Sequence, residues 1–133
     1  MNIVIFGGTG DLATRKLLPA LFRHHKSSRL PSELNIIGIG SRSVSNNEYL
    51  KLVREKLCEH LKQSEFTSNQ IDLFLESLSY SKIDFNISKD FETLNNYNLS
   101  ESKSLFYLAV SPSFYTKIAE NLNALGLINN DSV

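Results

Sequence analysis

Gly7, Gly8 and Gly10 stand between a short β-branched run and a helical pattern in IVIFGGTGDLATRKLLPALF, an arrangement with a chemical use. The chemistry is phosphate binding. Glycines at such a turn let the backbone come close to a pyrophosphate, and the following helix presents unpaired N–H groups and the positive end of its dipole to the anion. Gly8 stands near the second glycine of the dinucleotide fingerprint, and Ala13 takes the position where only a small side chain lets helix and strand approach. A plain strand-to-helix turn using glycine for positive φ is the alternative explanation.

Stepping outward, Ile3 to Phe6 predicts a buried strand, and Leu12, Ala13, Leu17, Leu18 and Leu21 predict a helix from about Asp11 to His25. Pro19 removes a backbone donor and predicts a kink or break within it. Arg23, His24, His25, Lys26 and Arg29 give a basic helix end suited to the dipole and to solvent. Adjacent histidines do not share a helical face, so no metal site is expected. Leu30-Pro31-Ser32 punctuates before a second buried strand, Asn35 to Gly40.

Ser41-Arg42-Ser43 follows that strand, where a nucleotide fold meets the adenosine ribose. An acidic residue there would accept from a free 2′-hydroxyl, whereas an arginine accommodates a 2′-phosphate. Ser41 and Arg42 therefore favour NADP, with an exposed loop arginine as the alternative. Helical periodicity resumes near Ser45, with Asn46 or Asn47 as cap and Leu50, Val53, Leu57, Cys58 and Leu61 on one stripe, so Cys58 is expected in the core. Ile71, Phe74, Leu75 and Leu78 form a further amphipathic piece.

Ser79 to Phe85 predicts a third strand nearer the sheet edge, with Asp84 and Phe85 at its carboxyl end. They read either as adenine contacts or as a turn aspartate and a core phenylalanine. Asp90 to Leu94 suggests a short helix and Asn95 to Asn98 a loop. Ser104 to Val110 predicts a central strand delivering Ala109, Val110, Ser111 and Pro112 to the same crevice. A helix capped at Ser113 carries Phe114, Ile118, Leu122 and Leu125 and stops at Gly126. Beyond it, at Asp131-Ser132-Val133, another strand is expected to begin.

The 133 residues are 41% hydrophobic with a formal net charge of zero, which fits one α/β domain over residues 1–133. Its fold is expected to be Rossmann-like and doubly wound, a mostly parallel sheet with helices on both faces. Neutral charge gives no field to attract nucleic acid or anionic membrane, and no window is long and apolar enough to span a bilayer. The single cysteine excludes an intrachain disulfide. It fits a reducing, cytoplasmic setting, and no leader is recognisable.

At GGTGDLATRKLLPALF the chain resembles the glucose-6-phosphate dehydrogenase family, matching its G-x-x-G-D-L-A-x-x-K-L-x-P signature from Gly7 through Asp11, Leu12, Ala13, Lys16, Leu17 and Pro19. IIGIGSRS resembles the family's strand leading to its 2′-phosphate arginine, and LFYLAVSPSFY its LFYLA-x-P-P-x-x-Y/F segment. The likeness covers essentially the whole chain and is loosest between Leu61 and Asn98. It implies pyrophosphate contacts from Gly7, Gly8, Thr9, Gly10, Asp11 and Leu12, and coenzyme contacts near Ala109, Val110, Pro112 and Tyr115. It also implies that Lys16 meets the sugar phosphate, for which a flexible ammonium is suited.

In the family the arginine often stands where this chain has Ser41, one place before Arg42. The family's E-K-P segment and histidine-containing substrate motif have no counterpart here. The resemblance thus implies the NADP-binding part of an enzyme oxidising glucose 6-phosphate, homo-oligomeric when complete, with its general base outside this chain and no catalytic residue within it. The rivals are another Rossmann-type reductase, weakened because neither Tyr107 nor Tyr115 has a lysine four residues on, and a noncatalytic nucleotide-binding module.

Overall fold

The computed structural model describes residues 1–30 and 33–128. Pro31-Ser32 and the strand start expected at Asp131 lie outside them. Four strands, β1 (Asn2–Phe6), β2 (Asn35–Gly40), β3 (Leu78–Lys82) and β4 (Ser104–Leu108), form one sheet in the order β3-β2-β1-β4. Every pairing is parallel. The chain thus winds one way from β1 to β3 and returns to the other side of β1 for β4. That reversal puts a crevice at the carboxyl ends of β1 and β4.

The helices α1 (Leu18–Lys26), α2 (Asn46–His60), α3 (Ser68–Leu75) and α4 (Tyr115–Ala124) cover the sheet. Strand side chains alternate between two cores. Ile3, Ile5 and Ile36 meet Phe22, Val53, Leu57 and Phe74 from α1, α2 and α3. Val4, Phe6, Ile37 and Ile39 meet Phe91, Ile118 and Leu122 on the other face. The expected doubly wound α/β fold is the observed one.

Local differences have identifiable causes. Asp11 and Leu12 open the first helix, but Ala13–Leu17 is a π-helical turn closed by the Leu18 N–H donating to the Ala13 carbonyl. Pro19 cannot donate to Arg15 and its ring crowds that carbonyl, so the ladder widens by one residue just before it. The α2 cap is Ser45, not Asn46 or Asn47: Ser45 Oγ accepts from the Glu48 N–H, and the Glu48 carboxylate accepts from the Ser45 N–H. This box holds the Glu48 carboxyl below its usual pKa, chiefly through the Ser45 backbone bond.

Cys58 is exposed, not buried. The buried line on α2 is Tyr49, Val53 and Leu57, spaced by four, and Cys58 lies one residue, about 100°, off it. Leu78 opens β3 instead of extending α3, which ends at Leu75, and β3 stops at Lys82 before Asp84 and Phe85. Ser113 does not cap α4: Pro112–Phe114 is a 3₁₀ turn, and Phe114 precedes the helix without a side-chain cap. Gly126 does end it, at φ +73. Finally, β4 is not central among the described strands, because it lies at the sheet edge.

Candidate functional site

The turn after β1 is held by its own backbone. The N–H groups of Gly7 and Gly8 both donate to the Ile39 carbonyl, at 2.7 and 3.0 Å, and the Gly10 N–H donates to Gly7 at 2.9 Å. Thr14 closes the turn from the helix side, its N–H and hydroxyl both reaching the Gly10 carbonyl, at 3.0 and 2.9 Å. Among the described residues the N–H groups of Thr9, Asp11 and Leu12 have no backbone acceptor. The glycines therefore shape the turn, while the residues beside them carry its unspent donors.

Each glycine has its own reason. Gly7 takes φ +89, and a Cβ there would also run into the Ala109 carbonyl at the end of β4. Gly8 has ordinary φ but no room: its Cβ would lie 2.8 Å from Gly38 Cα and 2.9 Å from the Tyr49 hydroxyl. Positive φ is thus needed only at the first glycine of the turn, and close backbone approach governs the second. Ala13 is fully buried where the helix meets the sheet.

A cavity of about 460 Å³ opens over this turn, in the size range of cofactor sites. Gly7, Thr9 and Gly10 form its floor, Gly40 and Ser41 the β2 side, Asp84, Phe85 and Asn86 the β3 side, and Ala109, Val110, Ser111 and Phe114 the β4 side. All four strand ends converge on it. Nine expected residues, Gly7, Thr9, Gly10, Ser41, Asp84, Phe85, Ala109, Val110 and Ser111, line one cavity. Gly8 lies buried beneath it, and Asp11, Leu12, Lys16, Arg42, Pro112 and Tyr115 are exposed outside its lining.

Several of these side chains have structural partners as well. Asp84 accepts from the Asn86 N–H at 2.9 Å, a turn-forming bond, and its own N–H donates to the Asp90 carboxylate at 2.9 Å. Phe85 packs edge-on against Phe6 and Phe114 at 5.9 and 5.6 Å. Asp11 forms an exposed ion pair with Arg15 at 2.8 Å. Gly40, Asn86 and Phe114 also line the cavity, although no motif marks them as site residues. Gly40, last in its strand beside Ser41, carried the only local signal.

The donor set fits a diphosphate. Unspent N–H groups, among them those of Thr9, Asp11 and Leu12, sit at and just before the start of a helix, and the glycines leave the approach free of side chains. Open parallel strands, a glycine turn feeding a helix and a crevice at the switch point define the dinucleotide-binding class of α/β domain.

The sequence profile described as "Glucose-6-phosphate dehydrogenase, NAD binding domain" matches residues 4–133. The chain belongs to that family. It is 36% identical to the glucose-6-phosphate 1-dehydrogenase of Rhizobium meliloti over 98% of this chain and 27% of that protein. Identity to the Mycolicibacterium smegmatis enzyme is 33%, over 98% and 28%. The crystal structure of the Mycobacterium avium enzyme superposes with a TM-score of 0.87 at 30% identity, covering 96% of this chain and 27% of that one. A glucose-6-phosphate dehydrogenase solved with glucose 6-phosphate gives a TM-score of 0.76 at 26% identity, over 98% and 28%. The chain spans just over a quarter of the length of these relatives.

Proposed function

We propose that this chain is the coenzyme half of a glucose-6-phosphate dehydrogenase, binding NADP for oxidation of the sugar phosphate. The observation that carries the reading is the set of unspent Thr9, Asp11 and Leu12 amides beside glycines that keep the approach clear. Thr9, Asp11 and Leu12 bind the diphosphate, with Gly7, Gly8 and Gly10 shaping the turn beneath it. Ser41 and Arg42 take the adenosine 2′ position, and Asp84 and Phe85 the adenine edge. Ala109, Val110, Pro112 and Tyr115 guide the nicotinamide half, and Lys16 meets the sugar phosphate. The bound coenzyme supplies the hydride acceptor. None of the 133 residues is assigned as the general base, and the complete enzyme is a homo-oligomer.

The named activity of the relatives and the glucose 6-phosphate in one solved structure support the substrate. No described helix is long and apolar enough to cross a membrane, and with net charge zero this is compatible with a cytoplasmic protein not drawn to nucleic acid. NADP preference is supported by Arg42 and by the absence of a carboxylate at Ser41 to Ser43. Calorimetric titration of the 133-residue chain with NADP and NAD tests the proposal. It is expected to bind NADP more tightly and to leave glucose 6-phosphate unoxidised. Failure to bind either nucleotide refutes the coenzyme reading, tighter binding of NAD refutes the preference, and turnover refutes the placement of the base.

A further inference from the structure

Two tyrosines outside any motif, Tyr49 and Tyr80, stand behind the crevice. Tyr49, in the first turn of α2, is fully buried, and its hydroxyl donates to the Gly8 carbonyl at 3.0 Å. Tyr80, on β3, donates from its hydroxyl to the Arg42 carbonyl at 2.8 Å. The two rings lie against each other with centroids 4.8 Å apart. Gly38 on β2 makes this possible, because a Cβ there would occupy the space of the Tyr49 ring and hydroxyl.

A peptide unit is planar and trans, so its carbonyl and N–H point in opposite directions. The hydroxyl that holds the Gly8 carbonyl inward therefore also turns the N–H of Thr9 outward, and Thr9 lines the cavity. That N–H is one of the unspent donors. Without the hydroxyl, a flip of this peptide would present a carbonyl where the donor stood. Burial raises the Tyr49 pKa, so the group stays a donor through neutral pH.

At the other end of the pair, the Arg42 carbonyl also accepts from the Val44 N–H at 3.1 Å. The backbone of Arg42 is thus pinned from two sides while its side chain remains exposed. The Tyr80 N–H in turn donates to Asn46 Oδ1 at 2.9 Å, tying β3 to the start of α2.

We propose that Tyr49 and Tyr80 are positioning residues for the dinucleotide. Tyr49 aims the Thr9 amide at the diphosphate, Tyr80 fixes the Arg42 backbone beside the adenosine 2′ position, and Gly38 gives the space in which they stack. The inference rests on the coenzyme reading above.

The test is amide NMR of the 133-residue chain during titration with NADP and NAD, with calorimetry on the wild type, Tyr49→Phe and Tyr80→Phe. In the wild type the Thr9 amide resonance is expected to move with either nucleotide, and further than that of Gly8, whose N–H is held by Ile39. Tyr49→Phe is expected to weaken NADP and NAD alike by about tenfold, as a buried carbonyl loses its partner. Tyr80→Phe is expected to weaken NADP about threefold and leave NAD unchanged, the loss of a single part-buried bond. Wild-type affinity in Tyr49→Phe overturns the Tyr49 assignment, as does wild-type nucleotide binding with a stationary Thr9 resonance, which requires no variant to fold. Equal weakening of NAD and NADP in Tyr80→Phe, or none, overturns the Tyr80 assignment. No binding by the wild type overturns the coenzyme reading itself.

Discussion

Ile5 on β1 and Tyr107 on β4 are register partners on the same face of the sheet, yet Ile5 is 0% exposed and Tyr107 52%. One pair back, Ile3 is 4% exposed and Leu105 42%. On the opposite face the contrast is smaller: Phe6 is buried in the core beneath α4, and its partner Leu108, partly buried, packs against that same core. Strand sequence alone therefore does not decide burial. Phe22 and Leu18 of α1 cover β1 from one side, and no described element does the same for β4. An apolar groove of about 390 Å³ runs along that strand and α4.

The crevice lies between these two regimes. Its β1 and β2 side is locked by backbone bonds and buried tyrosines, whereas its β4 side rests on a strand supported on one face. The glycine-turn half of the crevice is thus built on completed core, and the β4 half is not.

Ile5→Ala should have the largest effect, because it empties a fully buried position. Loss of the side chain and the cavity left behind should cost about 2–5 kcal/mol, read by denaturant unfolding of the 133-residue chain. A loss below about 1 kcal/mol would mean that the β1 core is far looser than its burial implies. Gly7→Ala comes next. It forces an L-residue to φ +89 and drives a methyl into the Ala109 carbonyl, where the closed and open sides touch. We expect about 2–3 kcal/mol of destabilisation and loss of nucleotide binding, measured by unfolding and calorimetry.

What the sequence revealed and what it hid divide along the same line. The glycine turn, Ala13 and the four strands were legible because each is written in adjacent residues: an apolar run, a breaker, a period. Cys58 was misplaced because Leu50, Val53, Leu57 and Leu61 define a stripe only to within a residue or so, and one residue turns a side chain about 100°. The Gly8–Gly38–Tyr49 junction was invisible because it joins a turn, a strand and a helix distant in the chain. So was the capture of the Gly7 and Gly8 amides by Ile39, which depends on how β2 lies against the turn. That β4 would be half-bare was not legible either, since its pattern reports what a strand is suited to and not which neighbours cover it.

A smaller effect sharpens the closed side at its rim. Glu65 accepts from Arg23 at 2.7 Å and from the Lys62 N–H at 3.0 Å, fastening the loop before α3 to α1. Chiefly through the Arg23 bond, its carboxyl pKa falls to about 2. A carboxyl whose folded pKa is depressed stabilises fully above its unfolded value near 4.5, and that stabilisation fades as pH falls towards about 2. The wild type should therefore lose thermal stability between pH 5 and 2 more steeply than Glu65→Gln. Parallel curves would show that this rim bond contributes nothing.

The smallest effect is expected at Tyr107, and its smallness is what the comparison requires. The ring stands half in water on the bare face, so Tyr107→Ser removes little buried surface and should change the stability of the 133-residue chain by no more than about 0.5 kcal/mol. Ile5, at the same level one strand away, should cost several times that. In any longer form of the protein whose added sequence covers this face, the ring would become core, and the same substitution should then cost about 2 kcal/mol or more. Denaturant unfolding of the two forms reads the difference directly. Equal, small costs in both would mean that β4 stays an open edge. A large cost already in the 133-residue chain would mean that Tyr107 is held by contacts its exposure does not suggest, and the contrast between the two strands would fall with it.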